Sequence, residues 1–211
     1  METLRDILDA AARGVYPPDD GGTTVVPQAD ARDAGVLSFT AHSVVFTDED
    51  PRWVREVLRS VGGDPLAATM SPRFLAAFMD RTGRLCETID ALLVGAPLPG
   101  PPTVRLVEVD DPGHPRVRSA RGRRDGVRVW AAEGGVVTLG RGVGGRLECS
   151  VEVEAGVRRR GVGRALVGAA RHLAAGEAVW AQVSPGNARS VRAFLAAGYV
   201  VVGAEALLGK R

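Results

Sequence analysis

The sequence predicts an α/β protein built from two units. Three observations carry that prediction. Short β-branched runs alternate with segments of helical apolar spacing, several helical segments carry their own start signals, and Ala96-Pro-Leu-Pro-Gly-Pro-Pro-Thr103 interrupts the alternation. Proline removes a backbone donor and fixes φ, so four prolines in that eight-residue run forbid helix and discourage internal strand pairing. The run reads as a linker, 96–103, between an N-terminal unit, 1–95, and a C-terminal unit, 104–211.

In the N-terminal unit, Leu4, Ile7, Leu8 and Ala11 recur at helical spacing, and Arg13-Gly14 with Pro17-Pro18 ends that helix. Thr24-Val-Val-Pro27, Gly35-Val-Leu-Ser-Phe39 and Ser43-Val-Val-Phe-Thr47 read as strands, because β-branched and aromatic side chains suit a pleated surface. Asp50-Pro51 and Ser71-Pro72 each supply an N-cap and a first helical residue, predicting helices over 52–60 and 73–81. Ile89 to Val94 reads as a further buried strand. No phosphate loop or catalytic constellation stands out here, and His42, between two strand-like runs, reads as a structural or edge residue.

In the C-terminal unit, Val104 to Val109 reads as a strand, Pro115 to Arg124 as a short basic helix or loop, and Val127 to Ala132 as a strand with period-two character. Glu133-Gly134-Gly135 turns the chain into Val136 to Leu139, a hairpin. Gly140-Arg-Gly-Val-Gly-Gly145 looks like a dinucleotide loop, yet a strand, Arg146 to Val153, follows it. Without a helix N-terminus the glycines have no dipole to aim at phosphate, so the segment reads as a hairpin turn. Arg164 to Ala175 is a helix with Leu166, Val167, Ala170 and Leu173 on one face, Ala178 to Val183 a strand, Ala188 to Ala197 a helix stopped by Gly198, and Tyr199 to Val202 a strand.

Composition narrows the function. The chain has 211 residues, 45% hydrophobic, with 27 basic and 25 acidic side chains, so no net field singles out nucleic acid or membrane. Lys210 is the only lysine, and this arginine bias, with heavy Ala, Gly and Val usage, suggests a GC-rich bacterial genome. The six arginines of Arg116 to Arg128 are discounted accordingly and lack the interleaved aromatics of a nucleic-acid surface. Cys86 and Cys149 show no paired redox or metal spacing, which fits a reducing cytoplasm. No apolar run approaches the ~20 residues that span a bilayer, and no secretory signal opens the chain. His114 and His172 have no ligand-like partners in spacing, so no metal site is expected.

The segment that carries chemistry is Arg158-Arg-Arg-Gly-Val-Gly163. A strand precedes it and a helix follows, the arrangement an anion site needs. The first N–H groups of a helix have no intrahelical acceptor, and Gly161 and Gly163 permit close approach of backbone to ligand. Those N–H groups suit the pyrophosphate of a nucleotide cofactor, with Arg158, Arg159, Arg160, Val162 and Arg164 around it and charge-assisted contacts available from the guanidiniums.

The order and spacing of two motifs resemble the GNAT family of N-acetyltransferases. Val153-Glu-Ala-Gly-Val-Arg-Arg-Arg-Gly-Val-Gly163 is similar to the family's strand-then-[Q/R]-x-x-G-x-[G/A] pattern, with Ala155 where proline is usual. Asn187, Ser190, Phe194, Gly198 and Tyr199 are similar to its later N-x-x-[S/A]-x-x-x-[Y/F]-x-x-x-G-[F/Y] pattern. The resemblance covers 104–211. Beside the small α/β N-terminal unit, whose strand-then-helix order allows a reading as a degenerate copy, the resemblance implies a mixed, mostly antiparallel sheet flanked by helices. It also implies acetyl-CoA as co-substrate. The pantetheine arm would lie along the main chain of Ser150, Val151, Glu152 and Val153 where neighbouring strands part, Arg160 or Arg164 would reach the 3′-phosphate, Asn187 would help hold the arm, and Phe194 would pack beside the thiol.

Direct transfer to a primary amine needs a proton acceptor. Glu148, Glu152 and Glu154 share one strand face; Glu148 is the expected base or part of a solvated face, and the other two read as solvated. The resembled family often has tyrosine at Phe194, whose hydroxyl can protonate the leaving thiolate. Phenylalanine cannot, which keeps open a non-catalytic acyl-CoA-binding or sensing protein. Cys149 reads as a buried thiol. The resemblance leaves amino acid, aminoglycoside, polyamine, peptide N-terminus and lysine open as acceptors. It sets Arg116 to Arg128 near the acceptor cleft, where positive charge favours an acidic acceptor, with the N-terminal unit shaping that side.

Overall fold

The computed structural model describes residues 2–210 and divides into two compact units: the chain up to Leu92 joined by the chain from Val202, and Leu93–Val201. The sheets are mixed and mostly antiparallel, with helices packed on them.

In the first unit, helix α1 (Leu4–Ala12) buries Leu4, Ile7, Leu8 and Ala11, the four residues whose spacing predicts it, and Thr3 with Asp6 closes a capping box. Strands β1 (Thr23–Val26), β2 (Asp33–Ser38) and β3 (Ser43–Phe46) follow. Asp50 and Ser71 cap α2 (Pro51–Val61) and α4 (Pro72–Thr82), and a one-turn helix α3 (Pro65–Ala68), not expected from the sequence, lies between them. Strand β4 (Leu85–Gly95) comes next, and the final strand β10 (Val200–Gly209) pairs antiparallel with β2, Ala206 opposite Val36. The strand order in this unit is β1-β3-β2-β10-β4. Its core joins Val36, Val45, Phe74 and Phe78 to Ala206 and Leu208. Residues from Val202, placed within 104–211 by the sequence reading, therefore group with the N-terminal unit.

In the second unit, β5 (Val107–Glu108) is shorter than the expected 104–109, because Pro101, Pro102 and Pro112 bracket it and Val107 has no core to enter, being 54% exposed. Helix α5 (Pro115–Arg123) is capped by His114, whose Nδ1 accepts the Arg116 N–H at 3.1 Å. Then come β6 (Asp125–Ala132), β7 (Gly135–Arg141), β8 (Leu147–Val153), α6 (Val162–Leu173), β9 (Val179–Val183) and α7 (Ala188–Ala196). The strand order is β9-β8-β7-β6-β5. The glycine run expected as one hairpin turn is split: Gly140 and Arg141 end β7, and a 3-10 turn covers Val143–Gly145.

Candidate active site

Strand β8 is held on one side and open on the other. It pairs with β7 along its whole length, from Leu147 opposite Arg141 to Val153 opposite Gly135. With β9 the parallel register covers only Leu147 opposite Val179 and Glu148 opposite Trp180, although β8 runs on to Val153 and β9 to Val183. The strands therefore diverge beyond Glu148, along Ser150, Val151, Glu152 and Val153. Backbone groups facing such an opening must find partners in solvent or a ligand.

The opening leads to the start of α6. A 3-10 turn, Ala155–Val157, and the tripeptide Arg158, Arg159, Arg160 carry the chain there, Arg159 in the left-handed region at φ 68°. Gly161 is the N-cap at φ 83°, which glycine alone adopts without strain, and it has no side chain to cap the helix. The N–H groups of Val162, Gly163 and Arg164 thus begin a helix whose dipole favours an anion. Arg158, Arg159, Arg160 and Arg164 are exposed around it, and Arg158 Nε donates to Val153 O at 3.2 Å. At Gly163 an added Cβ would sit 3.4 Å from Val153 Cγ2, an ordinary contact, so close packing alone does not require glycine there. The exposed side of α6, with Gly161, Arg164, Ala165 and Gly168, lines a cleft of about 370 Å³ walled by Thr103 and Ala196. Arg171 and His172 at the other end of α6 hold the 96–103 segment, Arg171 Nε donating to Ala96 O at 2.6 Å and His172 Nδ1 lying 3.0 Å from Pro99 O.

Glu148 occupies a different environment from the one a base needs. It is 3% exposed, and its Oε1 accepts from Arg146 Nε at 2.8 Å, Gln182 Nε2 at 3.0 Å and the Val143 N–H at 3.2 Å. Its Oε2 accepts from Arg124 Nε at 2.7 Å. Burial works against the carboxylate, but Arg146 and Arg124 outweigh it and bring the pKa down to about 2. A carboxylate this low holds a substrate proton weakly, and all its neighbours already donate to it. The solvated-face alternative for Glu148 fails too, since the side chain is enclosed.

The glycine segment before β8 makes this enclosure possible. A Cβ at Gly142 would collide with the Glu148 carboxylate, and one at Gly140 would lie 3.0 Å from Arg124 Cβ. Sequence spacing marked the glycines but not their reason, because Arg124 and Gln182 are remote from Glu148 along the chain. Glu152 lies 3.4 Å from Arg116, and Glu154 is exposed.

Asn187 is the N-cap of α7, its Oδ1 accepting the Ser190 N–H at 3.2 Å, and it is exposed. Phe194 is buried and meets Tyr199 edge-on with ring centroids 4.9 Å apart. The Tyr199 hydroxyl donates to Val167 O at 3.2 Å and lies 3.6 Å from Cys149 Sγ. Burial pushes the Cys149 thiol up to about 11 and raises the Tyr199 hydroxyl as well, so neither is a ready nucleophile or acid. His42 sits buried, Nδ1 2.8 Å from Asp20 Oδ1 and Nε2 2.9 Å from Thr24 Oγ1. Among the described residues no group of three His, Cys, Asp or Glu side chains is placed to hold a metal, and no helix is long and apolar enough to cross a membrane.

No curated protein matches the chain. Among solved structures, a GCN5-related N-acetyltransferase from Kribbella flavida is 18% identical with a TM-score of 0.44, the match covering 64% of this chain and 63% of that one. The chain thus spans less than two thirds of that protein. A putative GNAT-family acetyltransferase from Novosphingobium aromaticivorans is 16% identical with a TM-score of 0.41, covering 61% of this chain and 68% of that one. A GCN5-related N-acetyltransferase from Sphaerobacter thermophilus is 16% identical with a TM-score of 0.37, covering 66% and 56% respectively. The family model described as Acetyltransferase (GNAT) family matches residues 117–199, which run from α5 through β8, the α6 turn and α7 to Tyr199. Residues 117–199 are a GNAT acetyltransferase domain.

Proposed function

We propose that the chain is an acetyl-CoA-dependent N-acetyltransferase that moves an acetyl group directly to a primary amine, with the transfer chemistry in the second unit. The observation that carries this reading is the divergence of β8 from β9 beyond Glu148, leading to a helix start capped by Gly161 and ringed by arginines. An extended arm with a pyrophosphate at one end fits that sequence of surfaces. The main chain of Ser150 to Val153 would pair with the arm, and the N–H groups of Val162, Gly163 and Arg164 would take the pyrophosphate. Arg158, Arg160 and Arg164 would add charge-assisted contacts. Asn187, at the start of α7, would flank the arm, and Phe194 would set the apolar wall beside the thiol.

The chemistry differs from the base-assisted scheme. The amine must lose a proton, but Glu148 is saturated by four donors, so water is the proton acceptor we assign. The departing thiolate also takes its proton from water, because Phe194 has none and the Tyr199 hydroxyl is committed to Val167 O. These features equally favour a second reading, an acyl-CoA-binding protein without turnover. Titration with acetyl-CoA and thiol release across an amine panel separate the two. Binding with acceptor-dependent release supports transfer, and binding with no release for any amine overturns it. The double variant Arg160→Glu, Gly163→Asp should weaken acetyl-CoA roughly 10- to 100-fold, as expected for loss of one charged contact. Unchanged affinity by calorimetry would remove the α6 turn from the site.

A further inference from the structure

We infer that the acceptor carries a carboxylate beside its amine and that Arg124 recognises it. The inference rests on the acetyl-transfer reading and deepens it by naming the substrate class. Arg124 closes α5 and precedes β6, and its side chain is only 9% exposed. Its Nε donates to Glu148 Oε2 at 2.7 Å and its Nη1 to Ser150 Oγ at 3.2 Å. Glu148 is the last β8 residue in register with β9, and Ser150 is the next residue on the same strand face. The guanidinium therefore bridges the point where the strands separate.

Three features mark Arg124 as a receptor for an anion. Its Nη2 has no hydrogen-bond acceptor among the described residues. Glu148 is shared between two guanidiniums, and its other oxygen already takes the Arg146, Gln182 and Val143 donors, so it neutralises Arg124 incompletely. Ser150 Oγ lies 2.7 Å from Thr138 Oγ1, fixing a second polar group beside the open donor. A nearly buried cation with a donor to spare favours a carboxylate over a neutral carbonyl, because the carboxylate adds charge–charge attraction to the hydrogen bond. The same charge repels polycations. Amino acids therefore fit this end of the opening, and polyamines and aminoglycosides do not.

The test compares matched pairs, each an α-amino acid and the amine formed by removing its carboxylate, as acceptors in thiol release from acetyl-CoA by the full chain. We expect kcat/KM to be roughly 10- to 100-fold higher for the carboxylated member, mostly through KM. In Arg124→Gln the preference should vanish, and in Arg124→Lys part of it should return. Transfer to both members at equal efficiency, or preference for the decarboxylated amine, overturns this inference while leaving the transferase reading intact. No release with any acceptor, despite acetyl-CoA binding, overturns both. If the Arg124 variants do not fold, the wild-type comparison decides alone.

Discussion

At Glu148 four donors converge on two oxygens, and the consequence is measurable as acid sensitivity. The folded-state pKa of about 2 lies below the ordinary glutamate value of 4.5. The stabilisation this represents is present above pH 4.5 and is lost as pH falls from there toward 2, because protonation first catches up in the unfolded chain. It amounts to roughly 3 kcal/mol. Urea midpoints measured between pH 6 and 2.5 should fall across that window. Glu148→Gln should be less stable at neutral pH by about 3–5 kcal/mol, since two enclosed guanidiniums lose their shared counter-charge. It should also lose most of this acid dependence, and a variant whose urea midpoint tracks pH as steeply as the parent would refute the assignment.

At the scale of elements, the helix starts were the most legible part of the chain. Asp50-Pro51, Ser71-Pro72 and the Leu4-Ile7-Leu8-Ala11 stripe act within one turn, so their meaning is local and survives folding unchanged. The α6 turn was equally readable, because its glycine, arginines and flanking strand are contiguous. The partners of Glu148 were not: Arg124 and Gln182 reach it from other elements, and no spacing rule joins them. The Gly140 to Gly145 run shows the same limit. Its turn was foreseen, while the room it leaves for Arg124 and Glu148 is a tertiary fact. Gly142→Ala should accordingly cost roughly 1–3 kcal/mol by displacing the Glu148 carboxylate. Thermal denaturation checks this, with Gly156→Ala, where an added Cβ meets nothing within 4 Å, as the comparison.

For the whole molecule, the linker at 96–103 suggested a simple division that the last strand does not follow. The proline-rich run is a real break in regular structure, yet β10 lies between β2 and β4 in the first unit's strand order, and Ala206 and Leu208 enter its core. Sequence reading saw Tyr199 to Val202 as a strand but could not say which unit it completes, because pairing over such distances leaves no local mark. A fragment ending at residue 95 should therefore lack a central strand and remain largely unfolded by circular dichroism. Adding a peptide covering 200–209 should restore structure, and a cooperatively folded 1–95 fragment would contradict this arrangement.

The place of β10 also has a consequence for synthesis. Ala34 pairs with Leu208 and Val36 with Ala206, so the first unit's sheet closes only after the intervening second unit, Leu93–Val201, has been translated. Its early strands must wait with an unpaired edge while the second unit, whose segments are contiguous from Leu93 to Val201, can assemble first. Newly made chains should thus gain protease resistance in 93–201 before they gain it in the preceding segment up to Leu92.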